Sequence, residues 1–177
     1  MKKLTLIFFC LLVSCSTLEE RATKAKVSGK NDFVSFKILD IDRGPGYSIH
    51  NRGYYPTDKS IDAVHIEMEI KNTSSSQLEV SLQPVIPLQG QEMHRIVRVH
   101  WAGNFLEKLK TTADLRYETE AIHVKNEMLP PQYSMFRVFT FFYLKERLPN
   151  QFIFRVRKDG DTTFEEIPVS IDRTIQP

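Results

Sequence analysis

The sequence predicts an all-β chain, an antiparallel β-sandwich of seven or eight strands with one short helix. Three observations carry this expectation. Residues 61–72 alternate, with Val64, Ile66, Met68 and Ile70 between His65, Glu67, Glu69 and Lys71, the period of a strand with one dry and one wet face. Residues 135–144 form a nearly continuous apolar and aromatic run that includes Phe136, Val138, Phe139, Phe141, Phe142 and Tyr143, which suits a strand covered on both sides. Turn-forming clusters separate such segments at short intervals, as a sandwich requires.

The elements follow in order. Phe33 to Ile41 reads as the first strand, with Val34, Phe36 and Ile38 on one face. A long loop, 42–60, comes next, punctuated by Gly44-Pro45-Gly46 and Asn51-Arg52-Gly53. Loops of this length inside a compact domain usually carry function or disorder. After strand 61–72, Thr73-Ser74-Ser75-Ser76 turns the chain into a returning strand, 77–86, with Leu78, Val80, Leu82 and Ile86 inward. Pro84 and Pro87 confine its far end to a sheet edge or a bulge. Residues 93–101 alternate again. Met93, Val97, Val99 and Trp101 share one face, with Arg95 out of pattern, and His94, Arg98 and His100 share the other, with Ile96 out of pattern. Asn104 and Glu107 suit the capping box of a short helix over 104–110. Residues 115–124 form a weaker strand candidate, and Pro130-Pro131 turns the chain toward the aromatic run. Phe152, Phe154 and Val156, then Ile167, Val169 and Ile171, make a final hairpin around Lys158-Asp159-Gly160-Asp161, where glycine accepts a positive φ.

The first sixteen residues say where the protein resides. Lys2 and Lys3 precede an apolar run from Leu4 to Val13. At about ten residues the run has the length of a secretory signal core; a membrane-spanning helix needs roughly 20. Leu12-Val13-Ser14-Cys15 then resembles the lipobox of bacterial lipoproteins. The resemblance implies cleavage before Cys15, a diacylglyceryl thioether on its sulfur and acylation of the new amino group, with palmitate among the chains. Several acyl chains anchor firmly where one binds marginally. Ser16, where aspartate often retains such proteins at the inner membrane, implies the outer membrane, with the domain outside the cytoplasm in the periplasm or at the cell surface. The expected organisation is a signal peptide at 1–14, a lipidated Cys15 with a flexible tether to residue 32, and a sandwich at 33–172. The tether stretch is polar and charged, and a short helix there has no apolar stripe to hold it.

Processing removes the charge excess. The chain has 24 Lys plus Arg and 22 Asp plus Glu, a formal net charge of +2, and Lys2 and Lys3 lie in the signal. The mature balance near zero gives no electrostatic argument for nucleic acid. Of two cysteines, Cys10 is discarded and Cys15 carries lipid. No thiol then remains for a disulfide, a zinc site or a nucleophile. The core must stabilise the domain, and 12 Phe, 6 Tyr and one Trp supply large buried areas.

The segment His65-Ile66-Glu67-Met68-Glu69-Ile70-Lys71-Asn72-Thr73, with its polar turn and returning strand, resembles the V-x-V-x-N strand of immunoglobulin-like domains common in exported bacterial lipoproteins. The resemblance spans most of residues 33–172. It implies an immunoglobulin-like sandwich and no particular activity.

Chemistry-bearing clusters are few. His65, Glu67 and Glu69 line one strand face, but residues two apart on a strand sit about 7 Å from each other, too far for one ion without a second strand. His94, Arg98 and His100 could face an anion, though a solvated sheet face is the favoured reading. No HExxH spacing, phosphate-cradling glycine loop or Gly-x-Ser-x-Gly elbow occurs. The expectation is a non-enzymatic chain without cofactor or metal. Two features suit recognition. Tyr47, His50, Arg52, Tyr54 and Tyr55 stand on the glycine-punctuated loop, and tyrosine offers area and a polar tip at low entropic cost. The aromatic run presents Phe136, Val138 and Phe142 on the side opposite Phe139, Phe141 and Tyr143, to be covered by the 104–110 helix, a loop or a partner. The leading functional expectation is an envelope module that binds another envelope protein. The alternatives are a carrier of a small apolar or glycan ligand and, last, a metal-dependent envelope hydrolase.

Overall fold

The computed structural model describes residues 18–49, 52–86, 96–101, 126–145 and 149–171. Two antiparallel sheets face each other, with one short helix among the described residues, so the chain is a β-sandwich. The elements are α1 (Leu18–Lys24), β1 (Val27–Lys30), β2 (Val34–Gly44), β3 (Tyr47–Ile49), β4 (Arg52–Tyr54), β5 (Ile61–Asn72), β6 (Leu78–Ser81), β7 (Ile96–Trp101), β8 (Asn126–Leu129), β9 (Ser134–Leu144), β10 (Gln151–Lys158) and β11 (Glu165–Ser170). One sheet has the order β1-β2-β5-β9-β7 and the other β11-β10-β6-β8, while β3 and β4 pair separately.

Strand alternation builds the core. Phe36, Ile38, Ile41, Val64, Ile66, Met68, Ile70, Phe139 and Phe141 of the five-stranded sheet are buried against Leu78, Val80, Phe152, Phe154, Val156, Ile167 and Val169 of the other. Phe154 lies 4.7 Å from Phe36 and 5.3 Å from Phe139, and Phe152 lies 5.4 Å from Phe141, ring centroid to centroid. The last two pairs are edge-to-face, the arrangement that aromatic quadrupoles favour. Alternation therefore decided which face of each strand is dry, and the phenylalanines fill the space between.

Three irregularities have local causes. The two residues out of pattern near residue 96 are resolved in part by a bulge in β7: the register shifts between Ile96 and Arg98, so Ile96 stands opposite Phe141 while Arg98 stands opposite Thr140. One extra residue moves a strand's side-chain set to the other face. Beyond β6, Val85 bridges Ile153 while Val80 pairs with Val156, so the segment around Pro84 carries two residues more than the strand it follows. This is the bulge that its proline required. At the Pro130-Pro131 turn, Gln132 adopts φ 62°. The Tyr133 amide donates to Pro130 O at 3.2 Å, and Gln132 Nε2 donates to Thr73 O at 3.1 Å and Ser74 O at 3.0 Å. A left-handed non-glycine residue is thereby fixed by its own side chain.

Residues 18–30 correct the expectation of a flexible tether. α1 buries Leu18 and Ala22, and β1 joins the edge of the five-stranded sheet through β2. Ionic contacts supply the hold that a two-residue apolar stripe cannot. Arg21 pairs with Glu67 at 2.5 Å, and Lys37 Nζ donates to Ala22 O at 2.5 Å and lies 3.7 Å from Glu69. The observed helix is thus α1, while the expected helix at 104–110 and strand at 115–124 lie outside the described residues. β1 also brings the two sheets together at one side. A Cβ on Gly29 would lie 2.5 Å from Pro168 O and 2.8 Å from Val169 Cγ2 on β11. Gly29→Ala should therefore cost about 1–3 kcal/mol through forced backbone displacement, read as a lowered urea midpoint with an unchanged m-value.

On its outer side the four-stranded sheet carries charge pairs. Arg157 Nε donates to Glu79 Oε2 at 2.7 Å, and Asn126 Nδ2 donates to Glu79 Oε1 at 2.6 Å. The guanidinium of Arg157 also lies 4.5 Å from the Phe164 ring centroid. The hydrogen bond from Arg157 holds the Glu79 carboxyl below its ordinary value of 4.5, with burial opposing and Asn126 assisting. A depressed folded-state pKa gives stability that is complete above the unfolded value and lost as pH falls through the folded one. Glu79→Gln should accordingly flatten the decline in urea midpoint below pH about 4.5, while the native sequence shows the steeper loss.

Candidate functional site

The long segment between β2 and β5 is partly ordered as a ribbon. β2 continues to Gly44, which stands opposite Ala63 of β5. Beyond that end, β3 and β4 pair with Tyr47 opposite Tyr54, Ser48 opposite Gly53 and Ile49 opposite Arg52. The outer pairs of this short ladder thus bring together Tyr47 with Tyr54 and Ile49 with Arg52, and Ser48 with Gly53 forms the middle pair. Gly53, expected at a turn, is instead a strand position. His50 lies outside the described residues. Tyr55 follows the ribbon at 67% relative exposure.

The root of the ribbon is fixed by the main chain and by short polar contacts. Asp58 accepts hydrogen bonds from the Ser60 amide at 2.8 Å and hydroxyl at 2.7 Å, which hold its carboxyl below the usual range. The Ile61 amide donates to Asp58 O at 3.2 Å, and the Lys145 amide donates to Ser60 O at 3.0 Å. The chain thus returns into β5 through a closed turn. Beside it, Arg43 lies 5.9 Å from the Tyr143 ring centroid, and Lys145 pairs with Asp62 at 3.3 Å. Asp62 stands opposite Tyr143 in the ladder. Burial raises the Tyr143 phenol above its ordinary value, Arg43 lowers it and Asp62 raises it further. Sequence reasoning missed the grouping of Arg43, Asp62 and Tyr143. They sit at strand ends on three different strands, and only the register brings them together.

The other candidates separate on inspection. His65 Nδ1 lies 2.9 Å from Thr140 Oγ1. Glu67 faces Arg21, and Glu69 faces Lys37 and accepts from Ser134 Oγ at 2.7 Å. These carboxylates clamp α1, so the face expected to be wet is in part a docking surface for the chain's own helix. Among the described residues no three of His, Cys, Asp and Glu gather as a metal would need. In β7, Arg98 and His100 stand opposite Thr140 and Val138, while His94 lies outside the described residues. On the aromatic strand Phe139, Phe141 and Tyr143 are buried, and Phe136, Val138 and Phe142 on the opposite side are half-buried. Cys15 lies outside the described residues. Among those that are described, no helix is long and apolar enough to cross a membrane.

No family model and no curated protein matches the chain. Two solved structures are similar in outline. A conserved hypothetical protein from Bacillus anthracis aligns with 80% of this chain and 93% of its own at 11% identity and TM-score 0.41. An uncharacterized beta-sandwich protein from Clostridium difficile 630 aligns with 80% of this chain and 91% of its own at 11% identity and TM-score 0.34.

Proposed function

We propose that the chain is a lipid-anchored, non-catalytic module of a bacterial envelope that binds another envelope protein through the β3–β4 ribbon. The observation that carries this reading is the ribbon itself. A segment read as a loop pairs as a two-strand ribbon whose ladder sets Tyr47 opposite Tyr54 and Ile49 opposite Arg52, and exposed Tyr55 follows it. Aromatic and arginine side chains on a pre-ordered backbone are the chemistry of protein recognition, because little entropy is lost on binding. The rings meeting between the sheets give the small-ligand reading less support.

Anchoring belongs to the same proposal and rests on Lys2-Lys3, the short apolar run and Cys15. The immunoglobulin-like resemblance and the outer-membrane location favoured by Ser16 go with it. Radiolabelled palmitate should appear on the wild-type chain and not on Cys15→Ser. The set Tyr47→Ala, Arg52→Ala and Tyr54→Ala should abolish partner capture by in-membrane crosslinking and leave the urea midpoint unchanged. Capture at wild-type level would remove the ribbon from the reading.

A further inference from the structure

We infer that the bilayer carrying the anchor is itself the partner of the outer face of the five-stranded sheet, where α1 lies. The inference rests on lipidation of Cys15 and deepens that reading. A flexible stretch from 17 to 32 would let the sandwich stand about 50 Å from the membrane, at roughly 3.3–3.6 Å per extended residue. α1 removes that slack. Leu18 and Ala22 are 6% and 4% exposed, Arg21 is paired to Glu67 and Lys37 holds Ala22 O. The Ala25 amide continues the helix by donating to Arg21 O at 2.9 Å, and β1 begins at Val27. Cys15 then stands three residue steps before Leu18, a separation of at most about 10 Å.

A leash this short reaches one side of the molecule. The two sheets of a sandwich lie about 10 Å apart, and side chains thicken each outer face further. The lipid glycerol can therefore approach the α1 face but not the outer side of the four-stranded sheet. The exposed charges on this stretch are Glu19, Glu20, Lys24, Lys26, Lys30 and Asp32, a mixed set. Confinement by the leash, rather than a basic patch, is what brings the face to the headgroups.

The mature chain has no cysteine besides Cys15, so single labels are unambiguous. The full lipidated chain, carrying a fluorophore at Thr23→Cys on α1 or at Ser170→Cys on β11, would be reconstituted into phosphatidylethanolamine–phosphatidylglycerol vesicles containing a nitroxide-headgroup lipid. Both residues are exposed. Quenching is expected at Thr23→Cys and not at Ser170→Cys. A Gly-Ser insertion of about twelve residues between Thr17 and Leu18, adding about 20 Å of reach, should abolish the quenching at Thr23→Cys. Equal quenching at both sites, or quenching unchanged by the insertion, overturns the inference. Flotation with the vesicles separates the two levels: a chain that fails to float and takes no palmitate refutes the anchor, whereas one that floats without site-selective quenching refutes only the orientation.

Discussion

Glu127→Ala is expected to cost about 3–5 kcal/mol of folding stability, the usual consequence of stranding a buried charge. The charge is Arg137 of β9, 2% exposed and opposite Met68 on the inner side of the five-stranded sheet. Its Nε donates to Glu127 Oε2 at 3.1 Å, its Nη2 donates to Glu127 Oε1 and its Nη1 donates to Phe136 O at 2.7 Å. Glu127 belongs to β8 of the opposing sheet, so the pair is a polar rivet through the interior. Arginine cannot shed its proton to escape burial, and alanine removes the carboxylate that balances it. The double substitution Arg137→Met with Glu127→Leu should recover most of the loss, because apolar residues of similar volume commonly replace such a pair without penalty. Urea denaturation of the wild type, both single variants and the double variant forms the required cycle. Additive losses in the double variant would show that the two side chains act separately.

Asn72→Ala should cost about 3 kcal/mol, since each buried polar group left unpaired loses about 1–3 kcal/mol. Asn72 is fully buried at the end of β5. Its Nδ2 donates to Ser76 O at 2.8 Å, Leu129 O at 3.0 Å and Pro130 O at 3.1 Å. Its Oδ1 accepts from the Ser74 amide at 2.9 Å and the Ser74 hydroxyl at 2.8 Å. One amide thus closes the 72–76 turn and joins it to the turn that links the two sheets. Asn72→Asp should be worse than alanine at neutral pH, because it points a carboxylate at three carbonyl oxygens. It should recover partly in acid, when the carboxyl gains a proton to donate. The measurement is the urea midpoint of each variant at two pH values, and an aspartate variant as stable as wild type would refute this account.

Much of this sandwich was readable where hydrophobic alternation is strong. β5 has the bounds that Val64 to Ile70 demanded, and the β10–β11 hairpin turns at Gly160, whose φ is 91°. Asn72 was visible as the last residue of its strand pattern, but its role was not, because two of its carbonyl partners lie 57 and 58 residues away. α1 and β1 were missed for a related reason. Seven residues with two apolar positions do not sustain a helix alone, and Glu67, Glu69 and Lys37 from distant strands help to hold it. Arg137 is a harder case: within an aromatic run a lone arginine reads as the wet exception, and nothing local announces that Glu127 meets it inside. At the candidate site, Tyr47, Arg52, Tyr54 and Tyr55 were identifiable by composition. Their ordering into a ribbon was not, since three-residue strands carry almost no periodicity.

The two register shifts at the margins of the five-stranded sheet, between Val27 and Gly29 in β1 and between Ile96 and Arg98 in β7, bear on how the protein survives crowding. A straight outermost strand offers unsatisfied amides and carbonyls as a template for a neighbour's strand. A kink on both flanks breaks that template by throwing the hydrogen-bonding groups out of step. Among the described residues, both outermost strands of this sheet thus carry a guard against growing into a fibril.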